Sequence, residues 1–395
     1  MLLAISLAEL LVRVLPVNHV QAEDVNVITK YDSLLGWSKI PNARRNFVTE
    51  EYRISESINS MGIRGPEYST HKPPGEYRIL LLGDSYAEGY TVNFRDLFSE
   101  VLKRRLNKLG TGSYEVINTG TRGYSTDQEL LALSTYAGIY SPDLIVLLFY
   151  VNDVWFNSQS RYWRGYKPVF EMRDGELILT GVPVPRPDVD RFEYEISGGT
   201  GPAWLVRRTD AWLGARSRLY ELLRDGVRNT PTLSALAIKL GWAEVPNEFR
   251  PWKTVPDEAL DKAWSLTEAI LKRLRDKAEY LGSDLVIFYV PSRESIYPED
   301  WEAAKRRFGL KDEQWSAKQD RIDLERICNE QGFNCIFPVE RFRAEAKSLR
   351  EEGKRLYFSR DAHWNSEGHR VAGEVIAEYL KIMSEENKLN NSHFQ

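Results

Sequence analysis

The chain has 395 residues, more than one ordinary domain needs, so we expect a core domain with additional segments. Hydrophobic residues make up 42% of it, and 53 Lys and Arg residues against 57 Asp and Glu residues give a net charge of −4 with no strongly basic stretch. This balance excludes the usual electrostatic signature of nucleic-acid binding. The sequence shows no Cys/His cluster with zinc spacing and no Gly-x-x-x-x-Gly-Lys loop, so it implies no metal, nucleotide or other cofactor.

The first 23 residues open with an apolar segment, residues 1–8, which Glu9 and Arg13 then interrupt. This segment is too short and too charged for a full membrane span. We expect residues 1–23 to be a signal anchor or the remnant of a signal peptide, and the protein to be periplasmic or membrane-anchored. The alternative is an amphipathic helix packed on a cytoplasmic protein.

Four further parts follow along the chain. Residues 24–75 carry turn signals and predict an irregular leader, whereas residues 76–153 alternate apolar runs with helical spacing and predict β-α-β-α-β. Residues 154–255 are rich in Trp, Arg, Pro and Gly and predict an insertion or cap, with a hairpin at 169–179 and a helical piece at 204–225. The core resumes over 256–383 with a long helix, strands at 285–290 and 335–337, and a closing helix. These elements predict an α/β protein with a parallel sheet covered by helices on both faces.

The only two cysteines, Cys328 and Cys335, lie between a predicted helix end and a predicted strand start. An even pair with no thiol left over favours a disulfide in an oxidising compartment. Two buried, reduced cysteines are the alternative.

One apolar run ends abruptly in a polar turn. Residues 79–82 are all aliphatic, which is typical of a strand buried on both faces, and Gly83-Asp84-Ser85 follows directly. This places Ser85 at the carboxyl edge of the sheet, where open α/β sheets bind ligands. Ser85 is therefore a candidate nucleophile, although a serine at a helix start can also serve simply as an N-cap.

A serine nucleophile needs a base and a group that orients the base. Among the five histidines, His363 stands out because Asp361 precedes it by two residues, just before an amphipathic segment. The Asp361 carboxylate can bind one ring nitrogen of His363 and leave the other facing Ser85. His369 lies on the following helix, where an exposed or capping role is expected.

Two further strand ends supply candidate oxyanion donors. Residues 118–124, Asn-Thr-Gly-Thr-Arg-Gly-Tyr, form a glycine-rich turn in which a backbone N–H can approach a substrate. Residues 144–153 form a second buried strand that ends at Asn152-Asp153, where the Asn152 amide can donate. Ordinary turn chemistry is the alternative for each segment taken alone.

These blocks, in this order, resemble those of the SGNH (GDSL) hydrolase superfamily. The resemblance implies a three-layer α/β/α, flavodoxin-like fold, with Ser85 as nucleophile and Asp361 and His363 as the last block. It implies an oxyanion hole made by Ser85, Gly123 and Asn152, although Gly120 can also be aligned with the family glycine. It also implies that the leader, residues 24–75, wraps the core. The family often has a glycine two residues before the asparagine, where this chain has Tyr150. Residues 291–297, Pro-Ser-Arg-Glu-Ser-Ile-Tyr, resemble a segment of the alginate O-acetyltransferase-like branch. Ala87 stands where an ordinary α/β-hydrolase has the second glycine of Gly-x-Ser-x-Gly, which argues against that class of hydrolase.

The insertion carries an excess of aromatic residues interleaved with arginines. Aromatic faces stack on sugar rings, so an acylated or acidic carbohydrate is the expected substrate; the alternative is that these residues fill the core of a small cap. The aromatic residues are Trp155, Tyr162, Trp163, Tyr166, Trp204 and Trp212. We take Trp155, Tyr162, Trp163 and Arg293 as candidate substrate-binding residues.

Three functions fit these residues. The first is an esterase acting on O-acyl groups of a carbohydrate or another small ester, and the second is an O-acetyltransferase of exopolysaccharide modification that uses the same triad. The third is a non-catalytic polysaccharide-binding protein, which the intact Ser85, Asn152, Asp361 and His363 make the weakest. Association with a membrane through the N-terminus is expected only if residues 1–23 are an anchor. The sequence leaves the acyl group, the sugar and the oligomeric state open.

Overall fold

The computed structural model describes residues 8–12, 28–110, 112–186 and 245–392, with scattered residues between 213 and 240. Most of residues 1–23 and of the helical piece at 204–225, together with Trp204 and Trp212, lie outside the described residues. Within the described ranges, no helix is both long and apolar enough to cross a membrane.

The leader forms two antiparallel hairpins, so the prediction of an irregular leader was wrong there. Strand β1 (Thr29–Asp32) pairs with β2 (Gly36–Lys39), and β3 (Arg44–Val48) pairs with β4 (Arg53–Ser57). Residues of β3 and β4 alternate between buried and exposed positions, but two of the buried ones are Arg45 and Glu56, whose ion pair spans 2.7 Å. Because charged residues occupy the inner face, a search for alternating hydrophobic residues misses this hairpin.

The first half of the core alternates strands and helices as predicted. Its elements are β5 (Glu76–Gly83), α1 (Ser85–Glu88), α2 (Phe98–Lys108), β6 (Ser113–Asn118), α3 (Thr126–Tyr140), β7 (Leu144–Phe149) and α4 (Asn152–Phe156), with a 3-10 turn at Phe94–Asp96. Every residue of β7 and residues 78–83 of β5 are buried, which is the environment that their apolar runs indicated.

The insertion contributes two more hairpins, β8 (Arg161–Tyr162) with β9 (Gly165–Tyr166) and β10 (Val169–Arg173) with β11 (Glu176–Thr180). The second confirms the hairpin predicted at 169–179. Asp174 and Gly175 form its turn with φ angles of 52° and 82°, and such Asp-Gly turns match the twist of antiparallel strands.

The second half of the core follows a 3-10 turn at Asn247–Trp252. Its elements are α5 (Glu258–Tyr280), β12 (Asp284–Tyr289), α6 (Arg293–Ile296), α7 (Pro298–Phe308), α8 (Gln319–Gln331), β13 (Asn334–Ile336), α9 (Val339–Glu351) and α10 (Ser366–Ser392). Both strands begin one residue earlier than predicted. A disulfide joins Cys328, in α8, to Cys335, in β13.

Five parallel strands form the central sheet in the order β13-β12-β7-β5-β6. Helix α2 packs against α10 and α3 packs against α5, and the buried strands lie between these layers. The predicted three-layer α/β/α fold, with a leader and an insertion, is confirmed. Strands β5, β6 and β7 end at one edge of the sheet, so the turns that follow Gly83, Asn118 and Phe149 are neighbours there.

Candidate active site

Ser85 stands at this edge, at the junction of β5 and α1. Gly83 has a φ of 150°, and a Cβ at this position would lie 2.7 Å from the Cβ of Ala87, so the turn requires glycine. Asp84 is the N-cap of α1, and its Oδ1 accepts a hydrogen bond of 2.9 Å from the N–H of Tyr86. The capping role therefore belongs to Asp84, and the alternative explanation of Ser85 as the cap is wrong.

The structure brings Ser85, His363 and Asp361 together. Ser85 Oγ lies 2.8 Å from His363 Nε2, and His363 Nδ1 lies 2.6 Å from Asp361 Oδ1. Because a carboxylate accepts, the proton belongs on Nδ1, which leaves the lone pair of Nε2 facing the serine hydroxyl. The side chains of His363 and Asp361 keep 23% and 17% of their exposure, so a substrate can reach the base from solvent.

The Asp361 carboxylate accepts hydrogen bonds from two tyrosines in addition to the one from His363. Tyr52 donates its hydroxyl to Oδ2 at 2.7 Å, and the hydroxyl of Tyr90 lies 3.0 Å from both carboxylate oxygens. Burial alone would raise the pKa of Asp361, but the hydrogen bond and charge of His363 and the two tyrosine hydroxyls lower it to about 2. Burial raises the pKa of both tyrosines, so they stay protonated and donate.

Asn152, the candidate oxyanion donor, begins α4 at the end of β7. Its Nδ2 donates to Asp84 Oδ2 at 3.1 Å and to the hydroxyl of Tyr162 at 3.3 Å. The first contact fixes the amide beside the nucleophile turn. The second points the amide toward an oxygen atom contributed by the insertion.

The turn that carries Gly123 is tied to the nucleophile turn. Thr121 donates its N–H to Gly83 O at 2.9 Å, and Gly123 has a φ of 75°. The N–H of Gly120 is engaged with Asn118 Oδ1 at 3.0 Å, and a Cβ on Gly120 would lie 2.4 Å from the Cβ of Ala87. Gly120 is thus a packing residue, which favours Gly123 over Gly120 as the glycine facing substrate.

Buried charges beneath the site connect the leader to this turn. Glu88 accepts hydrogen bonds from the backbone N–H of Arg122 at 2.7 Å and from its guanidinium at 2.8 Å. Lys39 of β2 donates to Gly120 O at 2.5 Å and lies 3.7 Å from Glu88. Arg64 donates to three backbone carbonyls, those of Glu88, Gly89 and Val92. The leader is therefore part of the floor of the site, a more specific role than the wrapping of the core that the resemblance implied.

Two of the four candidate substrate-binding residues lie at the site. Tyr162 contacts Asn152, as described, and the ring of Trp163 lies so close to Gly123 that a Cβ there would be 2.8 Å from it. Trp163 is half-buried and packs edge-on against Trp37, with ring centroids 5.9 Å apart.

The other two candidates have structural partners. The guanidinium of Arg250 lies 4.0 Å above the ring of Trp155, which is packed at the margin of the core. Arg293 donates to Ser359 O at 2.8 Å and to Glu294 at 3.2 Å. Neither has a contact with Ser85, Asn152 or His363 among the contacts of the described residues. Arg293 nevertheless touches the loop that carries Asp361.

His369 was expected to be exposed or capping, and this prediction was wrong. It is 1% exposed, stacks on Phe98 and lies under Trp364, because α10 turns this face toward α2. Burial, with the charge of Arg64, lowers the pKa of His369 to about 3, and its Nδ1 accepts from the N–H of Phe98 at 3.4 Å.

Four buried carboxyls lie behind Asn152 and Ser85: Asp84, Asp127, Glu129 and Asp153. Asp127 pairs with the buried ammonium of Lys167. Burial raises the pKa of Glu129, and the nearby Asp153, Asp84 and Asp127 raise it further. Among the described residues, no group of three His, Cys, Asp or Glu side chains is arranged to hold a metal ion.

Comparison with known proteins identifies the C-terminal part of the chain. Residues 249–395 match the family model ALGX, an SGNH hydrolase-like domain of the acetyltransferase AlgX. None of the curated proteins matches the sequence. Three solved structures are similar. TesA is 13% identical, with a TM-score of 0.37, over 77% of this chain and 98% of its own. The acetyl xylan esterase AlAXEase is 12% identical, with a TM-score of 0.38, over 76% of this chain and 98% of its own, and the psychrotrophic esterase EstA from Pseudoalteromonas sp. is 10% identical, with a TM-score of 0.35, over 78% of this chain and 98% of its own.

The match covers Arg293, Asp361 and His363, whereas Ser85 and Asn152 precede it. The predicted resemblance to the SGNH superfamily and to its alginate O-acetyltransferase-like branch is confirmed for residues 249–395. Over the matched residues, the family model supports an enzyme that acts on acyl esters, as an ester hydrolase or an acyltransferase.

Proposed function

We propose that this enzyme is a serine esterase that removes O-acyl groups, in particular O-acetyl groups, from a carbohydrate or related substrate. Ser85, His363 and Asp361 are its triad. The observation that carries the proposal is the pair of short contacts in series, 2.8 Å from Ser85 Oγ to His363 Nε2 and 2.6 Å from His363 Nδ1 to Asp361 Oδ1. A serine hydroxyl becomes an effective nucleophile when an oriented base takes its proton.

In the first half-reaction, Ser85 Oγ forms a bond to the acyl carbon while its proton passes to His363 Nε2. Asp361 stabilises the imidazolium ion through Nδ1. The bond to the sugar oxygen then breaks, and that oxygen takes the proton from Nε2. The products are the free sugar hydroxyl and an acyl ester on Ser85.

The charge that develops on the carbonyl oxygen needs preorganised donors. The N–H groups of Ser85 and Gly123 and the amide of Asn152 are the proposed donors. Since Asn152 Nδ2 lies 3.1 Å from Asp84 Oδ2 and 3.3 Å from the Tyr162 hydroxyl, the contact with Tyr162 is the one that a substrate oxygen replaces.

In the second half-reaction, His363 removes a proton from water, whose oxygen attacks the acyl carbon. The bond to Ser85 Oγ then breaks, Oγ takes the proton back from His363 Nε2, and a carboxylic acid is released. A second candidate function, O-acetyl transfer, differs only here, because a sugar hydroxyl replaces the water. The match of residues 249–395 to an acetyltransferase family model favours this candidate. The half-buried rings of Tyr162 and Trp163 support a carbohydrate in either case, since sugar rings stack on aromatic faces.

We also propose that the protein works outside the cytoplasm. The disulfide between Cys328 and Cys335 supports this, because disulfides persist in oxidising compartments and are rare in the cytosol.

The test is the turnover of p-nitrophenyl acetate by the wild-type chain, with and without an acetylatable oligosaccharide, while acetate and acetylated sugar are measured by mass spectrometry. Acetate as the main product in both cases is the result that the esterase predicts. Acetylated oligosaccharide as the main product identifies the transferase. Ser69→Ala is the matched control for Ser85→Ala, because Ser69 is an exposed leader serine whose hydroxyl donates to the nearby His71 O. No turnover and no acylated serine in either case would leave a non-catalytic binding protein and contradict the proposal.

A further inference from the structure

The turn of the second leader hairpin lies on the loop that carries Asp361 and His363. The carboxylate of Glu51 accepts hydrogen bonds from three consecutive backbone N–H groups of this loop, those of Ser359, Arg360 and Asp361, at 2.7 to 3.1 Å. The Glu51 side chain, which lies 308 to 310 positions earlier in the sequence, therefore satisfies three consecutive backbone donors of the loop.

Tyr52, the next residue, reaches the catalytic carboxylate itself. Its hydroxyl donates to Asp361 Oδ2 at 2.7 Å, the oxygen opposite to the one that faces His363 Nδ1. Its ring is wedged between Phe47 and Phe358, with centroids 5.8 and 5.0 Å away, so the hydroxyl has little freedom to move. The Asp361 carboxylate is therefore hydrogen-bonded at Oδ2 by Tyr52 of the leader and at Oδ1 by His363.

We propose that Glu51 and Tyr52 are positioning residues, through which the leader hairpin sets the orientation and the charge of the Asp361–His363 pair. This inference rests on the proposed function of the pair. The leader then supports the chemistry through Asp361, which Tyr52 contacts directly.

The loop itself explains the need for such support. Ala362, between Asp361 and His363, has a φ of 68°, a region that a residue other than glycine rarely occupies. That conformation directs both functional side chains to one side, and it persists only where neighbouring contacts hold it. Tyr86 holds one end, by donating to Ala362 O at 3.1 Å, and Glu51 holds the other.

The charge effect has a definite direction. A hydroxyl that donates to Asp361 draws negative charge away from the oxygen facing His363, so removing it leaves a carboxylate that stabilises imidazolium more strongly. The base must be neutral to accept the proton of Ser85. Removing the Tyr52 hydroxyl should therefore move the acidic limb of the pH–rate profile to higher pH.

Other charged and titratable groups face this pair and stay unchanged in such a variant. Tyr90 and Ser85 bind it directly, and Arg122 lies 3.8 Å above the Tyr90 ring. Asp84 interacts electrostatically with His363, Arg122 with Asp361, and Arg45 and Glu51 with Tyr52. The neutral His369 lies behind His363. Because Tyr52→Phe removes one neutral hydroxyl and no charge, a shift of the acidic limb of the pH–rate profile in this variant reports the loss of the hydrogen bond between Tyr52 and Asp361.

The experiment compares Tyr52→Phe with Tyr68→Phe, a leader tyrosine that packs edge-on against Tyr140 away from the loop. We expect Tyr52→Phe to lower kcat about 10-fold with little change in KM, because Asp361 and His363 are then held less firmly in line with Ser85. We also expect its acidic limb to move upward by a few tenths of a pH unit, and the low-field proton resonance of His363 Nδ1 to shift. Tyr68→Phe should match the wild type in all three.

Glu51→Ala is compared with Glu50→Gln, since Glu50 is an exposed acid that pairs with the Arg360 side chain and, among the contacts of the described residues, not with the backbone of the loop. Glu51→Ala should speed amide hydrogen exchange at residues 359–361 and lower kcat, and Glu50→Gln should do neither. The proposal is overturned if Tyr52→Phe keeps the wild-type kcat, the acidic limb of the pH–rate profile and the His363 Nδ1 proton resonance. It is also overturned if the rate falls equally at every pH while that resonance stays unmoved. The resonance and the exchange need no turnover, so they test this inference even if Ser85→Ala stays active and the proposed function fails.

Discussion

Ser85 Oγ lies 2.8 Å from His363 Nε2, although 278 positions separate the two residues in the chain. Ser85 follows β5, and His363 directly precedes α10, so the contact forms only when α10 packs against α2 beside the sheet. Nucleophile and base therefore meet only in the folded domain. Substitutions at either residue can be read as effects on chemistry once folding is shown to persist.

Ser85→Ala should reduce ester turnover by about 10⁴-fold or more, because loss of one member of a triad disables the whole unit. The fold should persist, since Asp84 and not Ser85 caps α1. Circular dichroism checks the fold, and p-nitrophenyl acetate hydrolysis measures the rate. Turnover within about tenfold of the wild type would show that Ser85 is not the nucleophile.

Asn152→Ala should lower kcat by about 10²–10³-fold with little change in KM, because its amide matters mainly once charge develops on the carbonyl oxygen. Steady-state kinetics with one small ester separates the two parameters. If only KM rises, Asn152 binds the substrate in the ground state and is not an oxyanion donor.

Trp163→Ala should weaken the use of a carbohydrate ester far more than that of p-nitrophenyl acetate, since its half-buried ring lies against Gly123 at the edge of the site. Trp155→Ala is the matched comparison. It removes the ring under Arg250 and should lower the melting temperature without changing the preference between the two substrates. Equal losses for both substrates in Trp163→Ala would argue against a sugar-stacking role.

Glu129→Gln should stabilise the protein increasingly as the pH rises. Glu129 is 1% exposed, and burial, with nearby acids, raises its pKa above that of the unfolded chain. A carboxyl with a raised folded pKa contributes most to stability below its unfolded pKa, and this contribution is lost as the pH rises through the folded pKa. The difference in melting temperature between variant and wild type should thus grow from about pH 5 upward.

The control for this titration is Glu313→Gln, which changes an exposed carboxyl. Its melting temperature should differ from that of the wild type by little at any pH. A constant difference for Glu129→Gln across the pH range would mean that Glu129 does not change its charge there.

Protein purified from its native compartment should contain no free thiol, because Cys328 and Cys335 are joined. Closing a loop of this length is worth about 2.5 kcal/mol in the chain-entropy account, so a reductant should lower the melting temperature. Thiol counting on unfolded, non-reduced protein is the check. Two free thiols would remove the support for an extracytoplasmic location and leave the catalytic assignment untouched.

The sequence is sufficient to predict the functional residues at strand ends. Ser85 and Asn152 each follow an apolar run that is buried on both faces, and the edge of a parallel sheet brings such positions together. Asp361 and His363 were found because they lie two residues apart in one loop. Local patterns of this kind are visible in a single sequence.

The supporting contacts left no such pattern. Tyr52 binds Asp361 across 309 positions and Glu51 binds it across 310, so no short spacing in the sequence connects either residue to that loop. The aromatic excess of the insertion indicated binding residues without indicating which way each ring faces, so Tyr162 and Trp163 reach the site while Trp155 packs under Arg250. The burial of His369 depends on the packing of α10 against α2, which no local pattern in the sequence predicts.

The most direct test of the central claim is covalent labelling with a fluorophosphonate, followed by mass spectrometry of the tryptic peptides. The account predicts one phosphonylated residue, Ser85, with labelling lost in Ser85→Ala and strongly slowed when His363 is replaced by Gln. Labelling that is absent from the active wild-type enzyme, or that falls on a different serine and survives Ser85→Ala, would contradict it.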